Sequence, residues 1–378
     1  MRTTINLNPR VIKWARERAK FSIDDFAKKM KVSNDIVLQW ETDGKLSFPK
    51  IRKIAEKARI PLGYLFLEAP ISETLPIYDF RTIAEETPVQ PSPELLETIR
   101  LMQYRQEWIR DLLIENGVDT LKFVKSVSIK DNHIEVANNI RKTLGISSNW
   151  AKEHYAWAGA LRTLKEKIDG AGIFIFTNGV VENNNHRTLD VQEFRGFVLC
   201  DEYAPLIFVN GADALSAQMF TIAHELAHIW VGQDGLFDLY KTFSSKEEVE
   251  VFCNKVAAEF LVPSEELTNK KIDIETMAGR FKVSPIVIAR RYLDLNYISK
   301  KEFFDFYDDY TSKEFFKKTK STGGNFWHTQ HGRIGDNFGM MVIIAAKEGR
   351  LLYRDAYNLT GLYGETFDKY CNHLGIPV

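Results

Sequence analysis

The chain has 378 residues, of which 50 are basic, 51 acidic, three cysteine and 44% hydrophobic. That length suffices for two or three domains with cores of their own, and a net charge of -1 argues against a wholly basic nucleic-acid coat or an acidic disordered chain. Cys200, Cys253 and Cys371 are too scattered for a disulfide framework, and no pair has the spacing of a zinc knuckle.

The charge is uneven along the chain. Residues 1–69 carry 15 Lys and Arg against 8 Asp and Glu, a net of +7, so the other 309 residues carry -8. A basic end on an acidic body points to an N-terminal module with a polyanionic partner, most plausibly nucleic acid. The opening MRTTINLNPR lacks the apolar stretch of a signal peptide, and no run of about 18 apolar residues follows. The expectation is a soluble, cytoplasmic protein without a membrane partner.

In chain order, Pro9–Ala19 reads as a first helix. Ser22 caps a second, SIDDFAKKM, with Asp25 at its third position as in a capping box. Ser33 opens a third, NDIVLQWE, which Gly44 ends; Pro49 starts IRKIAEKA, and Pro61 starts a last piece through Leu67. The short turn Lys31-Val32-Ser33 between the second and third helices has the form of a helix-turn-helix, whose second helix enters the major groove. Five of twelve prolines then fall between Pro70 and Pro93, a density that favours an extended connector, and ELLETIRLMQYRQEWIRDLLIEN follows as one amphipathic helix closed by Gly117. The β-branched and apolar runs 172–177, 194–199 and 206–209 read as strands.

The most informative stretch is Phe220 to Trp230, which contains His-Glu-x-x-His inside an apolar helical pattern over about 212–231. His224 and His228, four residues apart, share one helix face and can reach one ion, and Glu225 is placed to take a proton from a metal-bound water. A catalytic zinc keeps three protein ligands. The third should come from a second helix over residues 244–262, capped by Ser244 or Ser245, whose carboxylates are Glu247, Glu248, Glu250 and Glu259. Glu250 flanks the apolar stripe and shares a face with Asn254, which could hold a ligand in place; Glu259 is the runner-up. Tyr203, His186 and His328 are candidate oxyanion donors. Residues 274–299 repeat helix-turn-helix logic, read as packing; Lys313–Lys320 is basic and aromatic; and 334–378 looks helical. The free Cys253 reads as a buried small hydrophobe.

Two resemblances emerge from these motifs. Phe26-Ala27, Val32-Ser33, Trp40-Glu41, Pro49 to Ala55 and Pro61 to Phe66 resemble the XRE family of lambda-repressor-like DNA-binding domains, which implies base contacts from Ser33, Asn34, Asp35, Val37 and Gln39. Asp35 departs from what phosphates favour unless it meets a cytosine amine. Pro205 to Asn210, Phe220 to His228 and Glu250-x-x-Cys253-Asn254 through Pro263 look like the ImmA/IrrE zinc metallopeptidases. That likeness implies Zn2+ on His224, His228 and Glu250, Glu225 as general base, and a gluzincin-like core with a small sheet. In zincins generally an edge strand pairs with the substrate, a role that falls here on residues 195–199.

The expected fold is mainly α with a small β-sheet (α+β): a helix-turn-helix domain over 1–69, a connector over 70–93, a zinc peptidase domain with preceding helices over 94–298, and a helical region over 299–378. The expected function is a zinc-dependent endopeptidase coupled to a DNA-binding domain, cleaving a repressor or other regulator in stress response, mobile-element or toxin–antitoxin control. Expected partners are that protein substrate, double-stranded DNA through residues 1–69, a toxin partner and a second copy of the chain. The alternative is a DNA-binding regulator or antitoxin whose peptidase fold is a partner-binding platform. A third reading makes the N-terminal module a dimerisation device.

Overall fold

The computed structural model describes residues 4–71, 73, 77, 91–237, 247–267, 273–312 and 326–376. It is mostly helical with small sheets, and it divides into two compact units: residues 1–76 with 86–100, and residues 77–85 with 101–378. Among the described residues no helix is long and apolar enough to cross a membrane.

Among the described residues of the first unit are helices α1 (Pro9–Arg18), α2 (Ile23–Met30), α3 (Asn34–Asp43) and α4 (Phe48–Ala58). Ser22 caps α2 as read: its hydroxyl accepts from the Asp25 N–H and, instead of the backbone N–H of a full capping box, itself donates to the Asp25 carboxylate at 2.6 Å. Lys31 ends α2 in the left-handed region (φ 56°), which turns the chain into α3 within three residues. Val11, Ile12, Phe26, Met30, Val37, Ile51 and Ile54 make the core. A short ladder was not legible: β1 (Thr4–Asn6) pairs antiparallel with β2 (Lys45–Ser47). Gly44 (φ 68°) makes it possible, because a Cβ there would stand 2.0 Å from the Leu7 carbonyl oxygen, while the Leu7 N–H donates to the Gly44 carbonyl at 2.9 Å.

Helix α5 (Pro93–Glu115) opens at Ser92, whose hydroxyl accepts from the Leu95 N–H, and closes before Gly117. In the second unit come α6 (His133–Leu144), α7 (Trp157–Gly170), β3 (Phe174–Asn178), the hairpin β4 (Val180–Val181) and β5 (Asn184–Thr188), β6 (Gly196–Leu199) and β7 (Leu206–Asn210). Then follow α8 (Leu215–Val231), β8 (Gly235–Phe237) and α9 (Glu248–Leu261); the expected start of this last helix at Ser244 or Ser245 lies outside the described residues. The four-stranded sheet has the order β3-β7-β6-β8, with β3 and β7 parallel and β6 antiparallel to both its neighbours. This corrects one expectation: residues 195–199 do not form an edge strand, because β8, a run too short to read from sequence, pairs with them.

Both faces of this sheet are covered, which is why its strands read as unbroken apolar runs. Ile175, Val198, Ile207 and Val209 join a core with Ala223, Leu226, Ala227 and Val256 from α8 and α9. On the opposite face Phe197 stacks on Phe208 at 5.0 Å between ring centres, and Phe176 meets Phe338 edge-on at 5.4 Å. Phe338 belongs to α14 (Asp336–Lys347), which follows α12 (Lys300–Ser312) and α13 (Phe326–Ile334) and precedes α15 (Tyr353–Thr360) and α16 (Glu365–His373). The buried Arg105 guanidinium lies over Phe176 and Phe338 and donates to the carbonyls of Arg333 and Leu359, so it locks the C-terminal helices onto the sheet. The segment with helix-turn-helix logic, α10 (Ile274–Phe281) and α11 (Pro285–Asp294), puts Met277, Phe281, Val287, Ile288 and Tyr292 into the main core. The Lys313–Lys320 stretch lies outside the described residues.

Candidate metal centre

Helix α8 is buried on every side from Gln218 to Trp230, so its functional residues are core residues. His224 and Glu225 are 0% exposed, His228 1% and Glu250, on α9, 5%. Helical spacing turns both imidazoles toward α9. Their Nε2 atoms are 2.9 Å apart, and Glu250 stands 3.4 Å from His224 Nε2 and 3.0 Å from His228 Nε2. These ligand atoms all lie within 4.8 Å of one another. Three ligands on a tetrahedral ion at zinc–nitrogen and zinc–oxygen bond lengths would be about 3.3 Å apart, so the donor set fits such an ion.

The surroundings fit it too. Asn254 Oδ1 lies 2.9 Å from His224 Nδ1. An amide oxygen only accepts, so it fixes the proton on Nδ1 and leaves the Nε2 lone pair facing Glu250. Burial, with the Glu250 charge second, pushes the Glu225 carboxyl well above the usual carboxylate range. Both Glu225 oxygens are buried and lack a hydrogen-bond partner among the described residues. Burial alone would raise Glu250 as well, but His224 first and His228 after it outweigh that and hold it well below the ordinary value. Burial lowers the His228 imidazole. Two carboxylates and two imidazoles enclosed together are costly without a cation, and one bound among them would satisfy the set.

Glu259, the runner-up, is buried but absent from this cluster. Its carboxylate pairs with Arg291 and accepts from the Ser264 N–H at 3.0 Å, while Arg291 also donates to the Val262 carbonyl and Arg141 to those of Glu259 and Phe260. Glu259 therefore anchors the end of α9 and is no ligand. Helix α8 begins at Leu215 rather than Ala212, because Asn210 holds the turn before it: its Oδ1 accepts from the Ala212 N–H and its Nδ2 donates to the Phe194 carbonyl. Gln218 is buried and donates to the Asp213 carbonyl, and the Asp213 carboxylate pairs with Arg195 at 2.6 Å. This ion pair beside the active helix was missed, since nothing in the spacing of Arg195 and Asp213 signals it. Of the oxyanion candidates, Tyr203 bonds through its backbone to Asp201, His186 lies exposed on β5, and the His328 side chain falls outside the described residues. Cys253 is buried, and burial raises its thiol well above its ordinary value.

In α3, Ser33, Asn34, Asp35 and Gln39 face solvent, whereas Val37 is 0% exposed in the core and cannot touch a base. Leu38, 46% exposed, lies on the outward face instead, and the 3.6-residue period measured from the core residues Val37 and Trp40 would have found it.

A buried His-His-Glu cluster with a second buried glutamate beside it, on two packed helices, defines a metallopeptidase-like site. Residues 169–293 match the model of the IrrE N-terminal-like domain, a peptidase family, residues 12–65 match a helix-turn-helix model, and residues 334–373 match a domain of unknown function. No curated protein matches the chain. The chain thus carries an XRE-type helix-turn-helix domain at its N-terminus and an IrrE N-terminal-like, metallopeptidase-like domain in its middle.

Proposed function

We propose that this protein is a zinc-dependent endopeptidase that cleaves a regulatory protein, such as a repressor, and is directed to its substrate by a domain that binds double-stranded DNA. The observation that carries this reading is the convergence of His224, His228 and Glu250 around one point beside Glu225. A peptidase tethered to a DNA reader meets DNA-bound proteins at a raised effective concentration, which supports a repressor-type substrate in stress response, mobile-element or toxin–antitoxin control.

In this reading His224, His228 and Glu250 hold the ion, and Asn254 keeps the His224 ring turned toward it. A zinc ion bound there supplies Lewis-acid polarisation of the scissile carbonyl and acidifies water. Glu225 accepts the proton of the attacking water on one carboxylate oxygen and delivers it to the leaving amine nitrogen. Burial of all four side chains, at most 5% exposed, keeps bulk water from them. Contacts to DNA come from Ser33, Asn34, Asp35 and Gln39.

Enclosure of all four site residues favours a second reading, a DNA-binding regulator or antitoxin whose peptidase fold is a platform for a partner such as a toxin. Metal analysis tests the first requirement. Purified protein should carry about one zinc per chain and His224→Ala none; zinc-free wild type ends the metal reading. Glu225→Gln should keep its zinc yet lose cleavage of a repressor encoded nearby, by about 10²–10⁴-fold. If neither form cleaves any neighbour while both repress its promoter equally, the platform reading replaces the enzyme.

A further inference from the structure

Strand β6 is the strand that touches the site. Helix α8 packs on Gly196 so closely that a Cβ there would stand 2.5 Å from Thr221 Cγ2, 2.8 Å from the Phe208 carbonyl oxygen and 3.6 Å from Glu225 Oε1. One side of β6 pairs with β7. Its other side pairs antiparallel with β8, in the register Gly196 to Phe237, Phe197 to Leu236 and Val198 to Gly235. Backbone groups on that side need partners, and an extended peptide is the partner that supplies them all. The four site residues are at most 5% exposed, so a polypeptide reaches them only after something leaves.

We propose that β8 is an internal stand-in for the substrate: Gly235-Leu236-Phe237 occupies the β6 edge on which an extended substrate segment pairs, and that segment carries a large apolar residue in the place of Leu236. This rests on the zinc-peptidase reading. Leu236 is 1% exposed, so its slot is dry and rejects a charged side chain, which would be desolvated without a partner. Among the described residues, the stand-in is held by its ladder to β6, by the buried Leu236 side chain and by Asp234, whose carboxylate accepts from the Cys200 N–H. The outermost strand of the described sheet is among the first elements to open locally. It follows the active helix directly after Gly232, whose left-handed conformation (φ 79°) turns the chain back toward β6.

The test uses the full chain loaded with zinc and two probes, acetyl-Gly-Leu-Phe hydroxamate and its Gly-Asp-Phe counterpart. Zinc content and circular dichroism come first: a wild type without zinc fails the peptidase reading, not this one. With zinc bound, Leu236→Ala should bind the leucine probe about tenfold tighter than wild type, since the slot is vacated. Both proteins should prefer leucine over aspartate. In wild type, which does not depend on the variant folding, hydrogen exchange at residues 235–237 should accelerate when the leucine probe is saturating. Amides of 235–237 that stay protected with the probe bound, equal affinities of zinc-loaded Leu236→Ala and wild type, or binding by neither, overturn the proposal.

Discussion

Helix α3 leaves its proposed base-reading side chains in solvent, whereas α8 encloses its proposed chemistry completely. In α3 only Val37 and Trp40 are buried, so the fold places few demands on Ser33, Asn34, Asp35 or Gln39. In α8 every residue from Gln218 to Trp230 is buried, and each polar one among them needs a local partner or a bound ion. Where function is exposed, water compensates the polar groups and residue identity is free to drift. Where it is enclosed, the chemistry fixes spacing, and a second helix must answer it.

Yet both helices belong to regions braced by a buried arginine–glutamate pair. Arg16 grips Glu41 of α3 at 2.6 and 3.0 Å and also donates to the Phe21 carbonyl. Arg291 grips Glu259 at the end of α9. If enclosure governs these pairs, Arg291→Ala and Arg16→Ala each strand a buried carboxylate and should cost about 3–5 kcal/mol in urea unfolding. A loss under about 1 kcal/mol for both, the level of surface pairs, would mean that they act as surface ion pairs.

Next in size is a prediction about the proposed zinc site alone. Asn254→Ala removes the acceptor on His224 Nδ1 and should weaken zinc about 10–100-fold in chelator competition, with little change in unfolding. Unchanged affinity would show that packing, not this hydrogen bond, orients the ring. On α3 two neighbouring substitutions should separate. Val37→Ala should cost about 1–3 kcal/mol of stability and leave the preferred DNA sequence unchanged. Gln39→Ala should leave stability within about 0.5 kcal/mol and relax the preference at one base pair. If Val37→Ala shifts the sequence preference instead, α3 is not packed as described.

This contrast also explains what the sequence disclosed. The closeness of His224 and His228 was legible because a spacing of four puts both on one helix face. Glu250 was separable from Glu259 only by weak pattern, because both are buried; what distinguishes them is Arg291, 32 residues beyond Glu259 in the chain, and no local rule connects the two. The cap at Ser22 and the breaks at Gly44 and Gly117 fell where read, since capping and left-handed turns are local. Strand β8 was missed because three residues carry no periodicity, and its neighbour β6 was therefore taken for an edge. Val37 was named as a base contact from its position in the motif, although its apolar side chain, three residues before the buried Trp40 and so on the same helix face, belongs inside.

The smallest effect compares one chemical change in the two settings. Asp35 is exposed on α3, so Asp35→Asn should leave stability at pH 7 within about 0.5 kcal/mol. Asp169, at the end of α7, is different: burial, and after it the charge of Asp336, raise its carboxyl to about 6, and hydrogen bonds from Asn337 only partly offset them. The unfolded chain releases that proton near about 3.9. Between the two values the folded state binds more protons than the unfolded one, so this group's contribution to stability falls as pH rises through that window and stays low above it. Asp169→Asn removes the titration. Its melting temperature should match wild type near pH 4 and exceed it increasingly up to pH 7, by an amount read directly in paired thermal melts. A difference that does not change with pH, or that favours wild type at pH 7, would mean that Asn337 and solvent compensate the Asp169 charge, and that enclosure in this region is costly only at the His-His-Glu cluster.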